Sequence, residues 1–190
     1  MTLQAWLVLP HLNLSNTKNF LRNILIGFKG FFVDPFVLSH NPPWFDARGV
    51  FVGLFIGTGI PLGAQTICLG LFRLAVRFNV ILALAFTWVN NPLTVAPMYY
   101  GFYLIGSFVL NKPAVTDLQQ FYLLITPVLQ AKEILIAIRQ FLALGSDIIL
   151  SWFVGAFLTA IPLGFAGYFV TLRIQTSRAI KRASLTRISP

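Results

Sequence analysis

Ile60-Pro61-Leu62-Gly63-Ala64-Gln65 breaks the middle of one long apolar stretch, Arg48–Phe72, and Asn90-Asn91-Pro92-Leu93-Thr94-Val95-Ala96-Pro97 breaks a second, Val80–Leu110. Neither stretch carries an acidic or basic residue after Arg48. A bilayer's hydrocarbon core takes about 20 helical residues, so runs of this length are able to cross it. The breaks then fall inside the membrane, where irregular backbone survives only if it is buried in protein or lines a wet cavity. The pattern points to a membrane-embedded site rather than a plain anchor.

Composition agrees. With 57% hydrophobic residues, 19 Phe and 10% charged residues, and a mean hydropathy of +0.79, the chain is too apolar for a soluble domain of its length. Cys68 is the single cysteine, so no internal disulfide forms. With only His11 and His40 beside it, no Cys/His metal site is expected, and no cofactor. The formal charge of +9 comes from basic residues that flank apolar segments rather than interleave with aromatics, which suits an anionic membrane surface and not nucleic acid. Met1–Pro10 is apolar but lacks the basic start and cleavage site of a signal peptide, so it is read as part of the mature chain.

Ser15-Asn16-Thr17 offers caps for a helix running to about Phe32. Lys18, Arg22 and Lys29 fall on one stripe of that helix, and Phe20, Ile24, Phe28 and Phe31 on the opposite side. This is the pattern of an amphipathic helix lying in a membrane surface, or of a helix packed on the rest of the protein. Asp34-Pro35 and Asn41-Pro42-Pro43 then make a stiff connector.

Gly49, Gly53 and Gly57 repeat the G-x-x-x-G spacing and invite close helix packing. The two halves of the first stretch, about Ala47–Gly59 and Ala64–Val76, each reach roughly 20 Å, short of a full crossing. A re-entrant hairpin over 47–76 therefore competes with one kinked span. Lys18, Arg22, Lys29 and Arg48 precede it and Arg73 and Arg77 follow, and the positive-inside rule prefers all of them on the cytoplasmic side, which favours the hairpin.

The second stretch, 79–110, is long enough to cross even with an unwound centre. Residues 111–147 balance Lys112, Lys132 and Arg139 against Asp117, Glu133 and Asp147, as suits the far side, with one or two interfacial helices interrupted at Thr126-Pro127. A last span, 148–172, leads to a basic cytoplasmic tail, 173–190, attracted to anionic lipid. The expected fold is an all-α integral membrane protein with broken or re-entrant helices, two or more transmembrane spans and an N-terminal surface helix. Residues 1–46 form the interfacial helix and connector and 47–172 a single membrane domain, with both termini cytoplasmic.

Val52-Gly53-x-Phe55 leading to Ile60-Pro61-Leu62-Gly63 is echoed, with a one-residue offset, by Val154-Gly155-x-Phe157 leading to Ile161-Pro162-Leu163-Gly164. In the expected topology the two copies enter the membrane from opposite sides. Inverted repeats with broken helices are how many transporters build a site; small, Phe-rich apolar segments also match by chance.

Gly53, Phe55, Gly57, Pro61, Gly63 and Gln65, then Asn79, Asn90/Asn91-Pro92-Leu93-Thr94 and Pro97-x-Tyr99-Tyr100, closely resemble the bacterial membrane-protein family catalogued as domain of unknown function 2062. The resemblance covers about 47–110, and more loosely the last span with Pro162 and Tyr168. It implies a small integral protein of the bacterial cytoplasmic (inner) membrane. Some relatives carry the domain beside a glycosyltransferase, which hints at lipid or lipid-linked-sugar handling.

Gln65, Asn90, Asn91 and Thr94 would each cost several kcal/mol if left unpaired in hydrocarbon. Either they tie the breaks together or they line a cavity where a polar substrate replaces water. Backbone N–H groups near Ala64-Gln65 and Val95-Ala96 suit an anionic group. The candidate substrate-binding set is Pro61, Gly63, Gln65, Asn90, Asn91, Pro92, Thr94, Pro97, Tyr99 and Tyr100; Tyr99 and Tyr103 share a face and suit packing or a cavity wall. The candidate packing face is Gly49, Gly53 and Gly57, and the candidate membrane-surface set Lys18, Arg22 and Lys29.

No carboxylate lies inside the apolar segments and no Ser/His/Asp set is evident, so the expectation is not an enzyme. Asp34, His40 and Asp46 are read as capping, turn-forming or solvated. Two functions compete: binding or translocation of an anionic membrane lipid or lipid-linked anion, and a non-transporting subunit. Either would act as a homo-oligomer or within a larger membrane complex. With no intramembrane ionisable residue, a carrier would be passive or driven by a partner.

Overall fold

The structure is a computed structural model that describes residues 22, 29–61, 63–91 and 94–188. The chain divides into two compact units, Met1–Ser39 and His40–Pro190. In the first, Arg22 is helical and exposed, Lys29–Val33 forms one π-helical turn, and Asp34–Val37 forms one α-helical turn. The Asp34-Pro35 segment is therefore helical rather than an extended connector, because a proline in a first turn gives up only an N–H that would be unpaired anyway. Lys18, Phe20, Ile24, Phe28 and most of the expected surface helix lie outside the described residues.

The second unit is all-helical among its described residues: α1 Pro43–Gly59, α2 Gln65–Ala75, α3 Val80–Thr87, α4 Val95–Val109, α5 Leu118–Gln130, α6 Ile134–Ala143 and α7 Ser146–Ile188. α1 starts at Pro43, earlier than its apolar run, again with proline in its first turn. It stops at Ile60, which is extended (φ −118°, ψ 135°) because the ring of Pro61 crowds the helical conformation of its predecessor. Gly63 then takes φ +97°, a left-handed conformation that glycine adopts without a Cβ clash.

α2 doubles back along α1, bringing Phe72 to 6.2 Å from Phe55 between ring centres. α3 runs parallel to α1, and the glycines allow it: a Cβ on Gly53 would collide with the Ala83 carbonyl, and one on Gly57 would sit 2.9 Å from Thr87 Cα. Val52, Ile56, Leu69, Phe78 and Ala83 close this three-helix core.

α7 binds α1 and α4 in succession. Gly167 faces Leu54 and Val50, Gly164 faces Phe51, and Gly59 faces Ala160, so α1 runs antiparallel to the middle of α7. Gly155 faces Phe102 and Gly106 faces Ser151, so α4 runs antiparallel to its beginning. α1 and α4 thus lie end to end along one continuous helix. Tyr99, Phe102, Tyr103, Phe121, Ile125, Trp152 and Ala156 form the second core, where α4, α5 and α7 meet.

The 43 residues of α7 reach about 64 Å, and this is the one described helix long and apolar enough to cross a membrane. α1 and α4, with 17 and 15 residues, fall short of the ~30 Å hydrocarbon core. The second expected crossing is not one helix: α3 ends at Thr87 and α4 begins at Val95.

Three expectations are corrected. The 111–147 region does not break at Thr126-Pro127. Pro127 lies inside α5, where it forfeits one backbone bond while the Thr126 hydroxyl donates to the Tyr122 carbonyl (2.7 Å), and the chain turns instead at Ala131–Glu133. Residues 173–188 are not a separate tail but continue α7, since Thr171–Ile188 holds neither Gly nor Pro and is rich in strong helix formers. The echoed Ile161-Pro162-Leu163-Gly164 does not repeat the break. It stays helical, with the Phe51 ring so close over Gly164 that a Cβ there would lie 3.1 Å from it, whereas Gly63 has open space around it.

Candidate functional site

Both helix breaks meet beside the middle of α7's apolar stretch, since Gly59 packs on Ala160 and Phe157 while Gly57 faces Thr87 and Val89. Gln65, buried at the start of α2, donates from Nε2 to the carbonyls of Gly57 and Ile60, both at 3.2 Å. It closes the first break by taking up carbonyls that the end of α1 leaves without helical partners. Its role there is structural.

The second break is closed by a reciprocal pair. Asn91 Oδ1 accepts from the Thr94 amide (3.2 Å), Thr94 Oγ1 accepts from the Asn91 amide (3.0 Å), and the Thr94 hydroxyl donates to the Val89 carbonyl (2.7 Å). This is a capping box in Asn/Thr form. The Val95 amide also reaches the Asn91 carbonyl at 2.8 Å, so Val95 offers no free N–H to an anion, contrary to the expectation for that position. Pro97 sits exposed in the first turn of α4, and Pro92 lies outside the described residues.

Asn90 behaves differently. It is 2% exposed; its Nδ2 donates to Tyr99 Oη at 3.4 Å, and its Oδ1 is buried with no partner among the described residues. Asn90 lines a cavity of about 220 Å³ with Gln65, Thr66, Leu69, Leu84, Thr87, Trp88 and Asn91. The amides of α2's first turn, which belong to Gln65 and Thr66 on this wall, have no side-chain cap. Of the substrate-binding set, then, Gln65, Asn90 and Asn91 reach the cavity, while Pro61 and Gly63 shape the break and Thr94 locks it. Tyr99 packs edge-on against Trp152 at 4.9 Å. Tyr100 turns away, donating to the Thr116 carbonyl at 2.5 Å, and Tyr103 accepts from the Val115 amide at 3.0 Å.

Sequence reading missed Thr66, Leu69, Leu84, Thr87 and Trp88 as lining residues; the Thr87-Trp88 pair just before Asn90 was the available signal. It also misjudged Asp46, which is fully buried rather than solvated. Asp46 Oδ1 accepts from Asn79 Nδ2 (2.8 Å) and Asn41 Nδ2 (3.3 Å), and Oδ2 accepts from Gln175 Nε2 (3.1 Å). Asn79 also caps α3, its Oδ1 accepting from the amides of Ile81 and Leu82. One carboxylate therefore joins the start of α1, the start of α3 and the later part of α7. Close to it, the guanidinium of Arg48 lies 4.8 Å from the Trp44 ring centre, and that of Arg73 lies 6.0 Å from Phe78's.

The family model described as "Uncharacterized protein conserved in bacteria (DUF2062)" matches residues 27–184, and the chain belongs to that family. No curated protein and no solved structure matches it.

Proposed function

We propose that this family member is a non-enzymatic membrane protein that binds, and passes across the bilayer, a lipid or lipid-linked anion held at the cavity between its two helix breaks. The observation that carries this reading is a cavity of about 220 Å³ at the two breaks, where Gln65, Thr66, Thr87, Asn90 and Asn91 stand among the apolar Leu69, Leu84 and Trp88, at the level of the middle of the one described helix long and apolar enough to cross a membrane. Polar side chains around a cavity at that depth are costly without a polar neighbour, and a bound polar head group supplies one.

In this reading α1 and α2 form a re-entrant hairpin, α3 and α4 a broken second crossing, and α7 a full one. Arg48, Arg73, Arg77 and the basic end of α7 share one end of the unit, because Gln175 and Asn79 meet at Asp46. Lys112, which pairs with Asp147 at the start of α7, lies at the other end. The richer basic end is the cytoplasmic one under the positive-inside rule, in the inner membrane, and anionic lipid gathers there.

The competing reading, a non-transporting subunit of a larger complex, draws on the exposed basic residues Arg173, Lys181 and Arg182 of α7. Its other proposed contact, the Gly49/Gly53/Gly57 face, is covered by α3 of the same chain. Native mass spectrometry of the gently extracted protein separates the two. A defined lipid kept by wild type and lost from a folded Asn90→Ala variant is the expected result. A co-purifying protein, with the same unselective lipid in both forms, would transfer the case to the subunit reading.

A further inference from the structure

The cavity at the breaks is polar without being charged: its wall carries amide and hydroxyl side chains and, among the described residues, no ionisable one. Resting on the reading of this cavity as a lipid site, we infer that the head it encloses is an uncharged polyol, which narrows that reading to a lipid with a hydroxyl-bearing head. Charge decides first. An ammonium or a phosphate brought into the cavity leaves water and meets no counter-charge, and the effective penalty for desolvating an ion is large. One aromatic face at an exposed site, as Trp88 offers at 55% exposure, recovers only a small part of that penalty for a cation. One helix end does no better for an anion. An uncharged head avoids the penalty altogether.

Hydrogen-bonding capacity points the same way. The amide nitrogens of the wall already donate inside the protein: Gln65 Nε2 to the Gly57 and Ile60 carbonyls (3.2 Å each), Asn91 Nδ2 to the Trp88 carbonyl (3.1 Å) and Asn90 Nδ2 to Tyr99 Oη (3.4 Å). A phosphate only accepts hydrogen bonds, so it gains little from such a wall. Thr87 donates to the Leu84 carbonyl (2.7 Å) and keeps its oxygen lone pairs, while Thr66 stands exposed in the wall. A ligand hydroxyl both donates and accepts, which matches these two side chains. Leu69, Leu84 and Trp88 add apolar surface, against which the C–H face of a polyol ring packs. The volume of about 220 Å³, the liquid share of about seven waters, admits one ring-sized head and leaves the acyl chains outside.

The primary test uses the wild-type protein. The full chain is purified into polyoxyethylene detergent micelles, which carry neither charge nor a polyol head. It is then offered equimolar dioleoylglycerol lipids whose heads are glucosyl, phosphate, phosphoethanolamine or phosphocholine, and retention is read by native mass spectrometry. Retention of the glucosyl lipid about fivefold above each of the others is the expected result, that being the share of one net hydrogen bond. Equal retention, or a preference for any phosphate-bearing head, overturns the inference. Leu84→Trp, which fills the cavity from an exposed apolar position, separates that failure from failure of the proposed function. It is expected to lose the glucosyl lipid. If it abolishes retention while the wild-type series is flat or reversed, only the head-group class fails; if retention survives it, no lipid occupies the cavity and the proposed function fails too.

Discussion

At the scale of single residues, Asp46 carries more of the fold than any residue of the breaks. A buried carboxylate that receives amide donors from Asn79 and Gln175 satisfies groups that have no water nearby. Removing it takes a buried acceptor from each, and a net hydrogen bond is worth about 0.5–1.5 kcal/mol. Asp46→Ala should therefore destabilise the protein by roughly 3 kcal/mol in denaturant titrations in micelles, with Asp46→Asn falling between it and wild type. A neutral result for Asp46→Ala would remove the clasp from the account. Asn91 and Thr94 should behave as one unit, because each side chain serves the other's amide. Asn91→Ala and Thr94→Ala are each expected to cost about 1 kcal/mol, and the double variant clearly less than their sum; strict additivity in a double-mutant cycle would contradict the box. Asp46 was misjudged from sequence for a plain reason. Its burial depends on Gln175, 129 positions away, and nothing within a helical turn of Asp46 betrays that contact.

At the scale of elements, the breaks were legible because their causes are local. Pro61 dictates the backbone of Ile60, Gly63 supplies a positive φ, and Asn91 to Thr94 caps itself. What stayed illegible depends on what a helix meets elsewhere. Ile161-Pro162-Leu163-Gly164 repeats the letters of the first break yet remains helical where Phe51 covers it, and α5 runs through Pro127 to end at Ala131. The glycine face gives the sharpest test at this scale. Gly57→Leu must push Thr87 and Val89 away, since Thr87 is backbone at the contact point and cannot rotate aside. A loss of several kcal/mol and a widened break are expected. Gly63→Val should be milder, about 1–2 kcal/mol, because its cost is the left-handed conformation and not a collision. Reversal of that order in thermal melts would argue against parallel packing of α1 and α3.

At the scale of the molecule, the proposed sidedness makes a topological prediction. In a Cys68→Ser background, single cysteines at Arg77 and Ser184 should be labelled by an impermeant maleimide from one face of sealed vesicles and one at Thr116 from the other; labelling of Arg77 with Thr116 would replace the hairpin by a full crossing. The continuity of α7 has a mechanical meaning within the His40–Pro190 unit. By holding α1 and α4 end to end against itself, it works as a splint across the gap between them, so neither can shift without shearing its glycine contacts. α2 is under no such restraint: it rests on α1 and α3, turns its Ile67, Leu71 and Leu74 outward, and hangs between Gly63 and an extended Val76. Any lateral door to the cavity is therefore α2, a shutter hinged at both ends on a frame that α7 splints.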